Sequence, residues 1–297
     1  MKENIKTYST ESPANDFSGS DNFTNTEERK NVRTERLKQA NLETKNELTK
    51  LIQKGVEHSV DNPVLNALER GELSKEAYIR IRADHYHSAD WFMDLLDTGE
   101  TKSRNAGYAD LAEEFRLNFR DEDGYDVKTG IRDPNESHEA WRIDDGKAIG
   151  VDYTKILPVL STIKGHRDPL KKDIKNKSAL YLAGMLTVTE KYLVEEFKKI
   201  QRSRDLLFPE AYVENENDLP EVKIKKARAR KYIDDHIGHD INHYTDILAA
   251  SMLVIDKLGP NEKQQFKDGC MAVLKAKSAM YAGLEEYLKA NNLWTKN

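Results

Sequence analysis

The sequence predicts an all-helical protein. Through its long segments the apolar residues recur at intervals of three and four, no stretch alternates apolar with polar residues as a half-buried strand would, and prolines and glycines mark many of the segment boundaries.

Residues 1 to about 26 are rich in Ser, Thr, Asn and Asp with almost no apolar residues, which predicts a disordered tail ahead of a single helical domain over 27–297 with its core at about 60–290. From Glu27 to about His58 the chain is charged, with sparse Leu37, Leu42, Leu48, Leu51 and Ile52, as expected of a surface helix capping the domain. Asn62-Pro63 opens a short helix that Gly71 ends. Ser74 is placed to cap a long helix reaching about Asp97, with Ala77, Ile81, Trp91, Phe92 and Leu95 as its apolar face. A second runs from about Asn105 to Asp121 with Leu111, Phe115 and Phe119 inward, and Asn135 can cap a helix bearing His138, Trp141 and Ile149. Pro158, Gly165 and Pro169 break the next stretch into short pieces. A long helix over about Asp173 to Asp205 follows, then a polar link over 206–220, a helix over about Val222 to Leu258, and a last one from about Asn261 to Asn291 with Phe266, Met271, Leu274, Met280 and Leu284 as its core face.

Composition narrows the function. The 297 residues carry a net charge of −5, which gives no reason to expect nucleic acid or an anionic membrane as partner. No stretch approaches the ~20 apolar residues of a membrane span, and the N-terminus lacks the apolar core of a secretory signal, so a cytoplasmic location is expected. Cys270 is the only cysteine, which excludes intrachain disulfides and Cys-rich metal centres. It reads most simply as a small core thiol. Phosphate loops, dinucleotide fingerprints and a serine nucleophile elbow are absent. A metal here must be held by imidazole and carboxylate, a donor set that suits iron, manganese or zinc.

Such donors are concentrated in His236-Ile237-Gly238-His239-Asp240-Ile241-Asn242-His243, which holds three of the chain's eight histidines. On a helix, His236, Asp240 and His243 share one face with Ile233 and Ile247, while His239 and Asp246 fall to one side as outer partners or solvent-facing groups. A lone histidine on an apolar face is most simply a satisfied core residue. Two histidines and an aspartate on one such stripe are costly to bury unless something binds them. Glu190 sits in the middle of the stripe Ala179, Ala183, Leu186, Leu193, Phe197, Ile200, where a carboxylate must be paired, protonated or metal-bound, whereas Glu195 and Glu196 are expected to project away. Asp84 falls within an apolar stripe, with His87 one turn beyond, and Glu122 closes a helix face just before Gly124. Asp84, Glu122, His138, Glu190, His236, Asp240 and His243 make too many ligands for one catalytic zinc and suit two divalent ions. The twofold Glu-x-x-His pattern of ferritin-like bundles is missing.

These residues resemble the haem-oxygenase-like diiron oxidases. The resemblance lies in His236-x3-Asp240-x2-His243, in Glu190 within Thr187-Val188-Thr189-Glu190, and in Asp121-Glu122-Asp123-Gly124 followed by Ser137-His138-Glu139-Ala140-Trp141. Asn62-Pro63-Val64-Leu65-Asn66-Ala67-Leu68 and His85-Tyr86-His87 resemble the opening helices of that fold, so that about residues 60 to 290 are covered. The resemblance implies a haem-oxygenase-like bundle of about seven core helices holding two non-haem irons, with Glu122, His138, Glu190, His236, Asp240 and His243 as ligands. Where the family commonly has a glutamate on its first core helix, this chain offers Asp84, with His87 as the alternative. The long interval from Glu122 to His138 implies an inserted loop.

The implied reaction uses O2 as co-substrate, and an electron donor, for N-oxygenation of amines or for C–H abstraction and C–C cleavage of amino acids and fatty acids, with an amino acid or amine the favoured substrate. Bundles of the family often form homodimers. Which carboxylate bridges the irons stays open, with Glu122 and Glu190 both placed for it. So does the role of Tyr86, Tyr181, Tyr232 and Tyr244, as cavity lining or core. Three other readings compete. A metal-free, thiaminase-like relative would need a cysteine in Ala179–Met185, where there is none, and a haem enzyme would need an early proximal histidine, for which only His58 stands before the core. A non-catalytic helical interaction protein predicts no bound metal.

Overall fold

The computed structural model describes residues 26–126 and 129–294, and the expected disordered tail lies outside them apart from Thr26. Helices α1 (Thr26–Gln39), α2 (Leu42–Val60), α3 (Pro63–Glu69), α4 (Lys75–Ser88), α5 (Asp90–Asn105), α6 (Ala109–Glu122) and α7 (His138–Ala148) make the first half. The second half comprises α8 (Leu160–Thr162), α9 (Asp168–Asn176), α10 (Ala179–Leu207), α11 (Pro209–Tyr212), α12 (Pro220–Leu258) and α13 (Pro260–Ala290). The chain is all-α, and the one β-type contact among the described residues is an isolated bridge between Tyr125 and Arg132. None of the described helices is long and apolar enough to cross a membrane.

The local chemistry explains most boundaries. Ser74 caps α4 by accepting from Ala77 N, Asn62 caps α3 from in front of Pro63, and Ser178 caps α10. Several expectations are corrected. The charged segment over 27–58 is two helices separated at Asn41, which caps α2, and α2 is no surface helix because Leu48, Ile52 and Val56 are buried against the bundle. The long helix expected to end near Asp97 breaks at Ala89 and then runs through Gly99, whose missing side chain makes room for the Phe115 ring of α6. Ser137, not Asn135, caps α7, and Met271 faces out.

The core centres on α10, which packs along both α12 and α13 and is also touched by α2, α3 and α5. Because neighbours surround it, α10 is buried on nearly every face, and Glu196, expected to project away, is fully buried. The crossing of α10 and α13 is set by two glycines facing each other's backbone. A Cβ on Gly184 would run into the carbonyl of Phe266, and one on Gly269 into that of Tyr181. At the other end of the sequence, α1 is fastened by arginines. Arg29 and Arg33 reach Asp246 on α12, and Arg36 reaches the buried Glu114 on α6.

The glycine contacts yield a graded expectation. Gly184→Ala and Gly269→Ala each force backbone apart and should cost about 1–3 kcal/mol. Gly238→Ala, at an exposed position on α12 with nothing within 4 Å of a Cβ, should instead add up to about 1 kcal/mol. Denaturant unfolding of the three variants measures the ranking.

Candidate metal centre

Four helices bring the sequence-predicted ligands together. Glu122 is the last residue of α6 and His138 the first of α7, with a loop between them that turns tightly back. Gly124 makes that return possible. It holds φ +79°, and a side chain there would meet the backbone of Asp133 and Ser137. Asp133 N bonds Gly124 O at 2.9 Å, and Arg132 pairs with Asp123 at 2.7 Å. The long interval in sequence therefore closes in space, and Glu122 Oε1 lies 2.8 Å from His138 Nδ1.

His236, from the middle of α12, completes a first group. Its ring centroid is 4.6 Å from that of His138, and ligand atoms of Glu122, His138 and His236 all lie within 4.8 Å of one another. His236 Nδ1 donates to Tyr232 O at 2.6 Å, since a carbonyl can only accept. That bond fixes the tautomer and leaves Nε2 with a free lone pair, as a metal-binding imidazole requires.

Glu190, Asp240 and His243 form a second group with the same spread. Asp240 and His243 follow His236 by one and two turns of α12, and Glu190 faces them from α10, with its Oε2 3.8 Å from His243 Nδ1. Glu190 Oε1 and Asp240 Oδ2 are buried without a hydrogen-bond partner, and so are both nitrogens of His138, whose 2.8 Å approach to Glu122 is not directed along a ring N–H. Lone pairs left facing one another in the interior are what a cation would satisfy. The donors are nitrogen and carboxylate oxygen, three to each group, as a pair of divalent transition-metal ions needs.

The electrostatics agree. Burial raises Glu190 and Asp240 well above the usual carboxylate range, reinforced by Glu122 in both cases and by Glu190 itself in the case of Asp240. Burial acts the same way on Glu122, but His138 outweighs it and holds the carboxyl at about 2. Burial would lower His138, yet Glu122 and Asp235 lift it to about 10. His236, buried beside that cation, falls to about 3. In the metal-free chain a proton on His138 thus does part of the work of a cation.

The structure does not bring every candidate to this centre. Asp84 is fully buried elsewhere, accepting from Val159 N at 2.9 Å and Thr162 Oγ1 at 3.3 Å, so that it pins the segment after α7. His87 Nε2 donates to the carbonyls of Tyr153 and Ile156 in the same segment. Neither shares a group with the other six. His58 is exposed on α2.

Asp246 serves the arginines of α1, while His239 is exposed and bonds Asp235. Two flanking carboxylates escaped the sequence reading. Asp121 Oδ2 is 3.3 Å from His243 Nε2, and Asp235 Oδ2 is 3.6 Å from His138 Nε2. Each immediately precedes a candidate ligand, and that adjacency was the available signal. Of the four tyrosines, Tyr232 lines a cavity that also reaches Glu122 and His236.

Family models and curated proteins offer no match to the chain. Solved structures do. A CADD-like protein of unknown function from Nostoc punctiforme superposes with a TM-score of 0.63 at 19% identity, covering 86% of this chain and 100% of its own. A second crystal structure described in the same words gives 0.60 at 19% identity, covering 84% and 98%. The chain shares the all-helical fold of that CADD-like protein.

The shifts predict how the metal-free chain responds to pH. Glu190 and Asp240 are raised on folding, so their share of stability is present at acid pH and is lost as pH climbs past the ordinary carboxylate value of about 4. His138 acts in the same sense, its share complete below about 6.5 and lost as pH rises through about 10. Glu122 works the other way, its share disappearing only as pH falls through about 2. The unfolding midpoint of the metal-free chain should therefore fall between mildly acid and alkaline pH. A divalent ion should restore it most at the alkaline end and release protons on binding at lower pH. Calorimetric scans across pH with and without ferrous or manganous ion measure both; a flat profile contradicts the assignment.

Proposed function

We propose that the chain is an O2-dependent non-haem diiron oxidase or oxygenase acting on a small molecule, with an amino acid or amine as substrate. The observation that carries this reading is the pair of adjacent three-residue groups with unsatisfied, inward-facing lone pairs, one of them opening on a cavity. The CADD-like fold supports it. In this reading Glu122, His138 and His236 hold one iron and Glu190, Asp240 and His243 the other. Two irons there would supply the redox chemistry with O2, drawing electrons from an external donor.

The chain's own residues do the positioning. Tyr232 O orients His236, and Asp121 and Asp235 lie against His243 and His138 to steady the rings and raise their basicity. Three ligand carboxylates and these two aspartates would set five negative charges against the four positive charges of two divalent ions. Trp91, Phe92 and Phe197 wall the cavity and exclude water from the reacting carbon or nitrogen.

The competing readings find less support. No cysteine stands in Ala179–Met185 for a thiaminase-like nucleophile, and Cys270 is fully buried with its thiol pushed up out of the reactive range by burial. A purely structural bundle would leave the Glu190–Asp240 repulsion without purpose.

Asp240→Asn should remove a ligand while relieving that repulsion. The expected signature is an unfolding midpoint of the metal-free chain equal to or above wild type, together with loss of iron uptake and a fall of about 100-fold or more in O2 consumption. Asp84→Asn should keep full iron uptake, and Glu195→Ala, on an outward residue paired with Lys191 and Lys198, should match wild type. Iron analysis and oxygen-electrode measurements on the three variants decide it. Undiminished O2 consumption in Asp240→Asn sinks the assignment.

A further inference from the structure

The cavity beside the first ligand group has a volume of about 70 Å³ and is partly open to solvent. Its walls are aromatic, from Trp91, Phe92, Phe197 and Tyr232, and several polar side chains reach it. Most of these are committed to one another. Glu196 accepts from Lys277 at 3.0 Å and from Tyr281, and His85 Nε2 bonds Tyr281 Oη at 3.0 Å. That cluster is closed, with its two charges paired.

Besides the Tyr232 hydroxyl, two lining residues are left over. Arg142 makes no hydrogen bond or ion pair among the described residues. Its guanidinium lies over the rings of Tyr86 and Tyr232 at 5.6 Å from each centroid, its buried Nε has no acceptor, and its charge is felt by Glu122. His166 is 1% exposed, and neither ring nitrogen has a partner. It stands edge-on to Trp91, beside Lys277 and His85, on the π-helical turn Ile163–Arg167 that joins α8 to α9. Gly165 packs this turn against Ala279 of α13. Such turns are frequent where a helix has been reshaped to aim a functional side chain.

We propose that this cavity receives a carboxylate substrate whose carboxylate is held by Arg142 beside the metal ligands and whose far end carries a neutral hydrogen-bonding group read by His166. The inference rests on the oxidase reading for the cavity's role, and it narrows the substrate from amino acid or amine to a carboxylate-bearing molecule. The planar guanidinium fork matches a carboxylate and donates no hydrogen bond among the described residues. Burial, with the Lys277 charge next, keeps His166 uncharged, so its imidazole offers one donor and one acceptor. A hydroxyl or a primary amide returns the same pair. The closed Lys277–Glu196 pair leaves no free charge at that end to favour an ionic group. Between the two, the aromatic walls suit an apolar body.

The test is calorimetric titration of the metal-free full-length chain with ω-hydroxyalkanoates, from hydroxybutanoate to hydroxydecanoate. Each is compared with the alkanoate that lacks the hydroxyl and the diol that lacks the carboxylate. Over one span of chain lengths the hydroxy acid should bind about tenfold more tightly than either comparator, the worth of one satisfied buried hydrogen bond. His166→Leu, which keeps the packing volume, should erase the preference over the alkanoate alone. Arg142→Gln should erase the preference over the diol alone. His166→Gln, keeping a donor and an acceptor, should retain part of the first preference. Absence of binding by every member, or preferences unchanged in the variants, overturns the proposal. Ferrous uptake measured on the same proteins separates the two claims, because selective binding without iron uptake defeats only the oxidase reading, and two irons without selective binding defeat only this one.

Discussion

Glu190 and Asp240 bury two carboxylates against each other where α10 crosses α12, and neither accepts a hydrogen bond from any described residue. The other buried carboxylates of the bundle are provided for. Asp145 has Arg82 at 3.0 Å and two tyrosine hydroxyls, Glu196 has Lys277, and Glu114 and Asp246 have the arginines of α1. Asp84 has a backbone amide and a threonine hydroxyl. A chain that matches its buried acids so consistently elsewhere leaves this pair unmatched at one place, facing three imidazoles. Leaving buried charge without a partner costs several kcal/mol, and in the metal-free chain burial and mutual repulsion answer that cost by holding protons on these carboxyls, raised well above the usual carboxylate range.

The scaffold is suited to that task. The glycine contacts of Gly184 and Gly269 set α10 hard against α13, and α12 is long enough to carry Tyr232, His236, Asp240 and His243 on successive turns of one rigid element. Of the other three candidate ligands, Glu190 comes from within α10 and two come from helix ends. Glu122 terminates α6 and His138 begins α7, so their positions depend on the tight return through Gly124 rather than on helix packing. The first group is the one that opens on the cavity, where the aromatic walls and the uncommitted Arg142 and His166 lie. Stability is thus concentrated behind the second group and access in front of the first.

Much of this was legible in the sequence, for identifiable reasons. His236, Asp240 and His243 share a stripe with Ile233 and Ile247, and helical periodicity alone places them together. Glu190 stood out because a carboxylate interrupts an apolar stripe. The same signal pointed equally to Asp84, since burial of a carboxylate can be read from periodicity but the identity of its partner cannot, and here the partner is the Val159 backbone. Glu196 was misjudged because the stripe argument assumes one buried face, whereas α10 is enclosed on nearly all sides. The segment over 27–58 looked like surface because its apolar residues are sparse, yet Leu48, Ile52 and Val56 are spaced to bury one side. Asp121, Asp235, Arg142 and His166 carry no periodic signature. Their roles arise from helix ends, from a π-helical turn and from what neighbouring side chains leave unbonded, and these are properties of the folded chain.

The central claim is that the two groups hold two metal ions that react with O2. An anaerobic ferrous titration of the metal-free chain, followed by admission of oxygen with and without a panel of amino acids and amines, tests it most directly. The account predicts saturation at two irons per chain and oxygen uptake that depends on the bound iron. Failure to take up iron, or saturation at two irons with no oxygen consumed under any of these conditions, would contradict it.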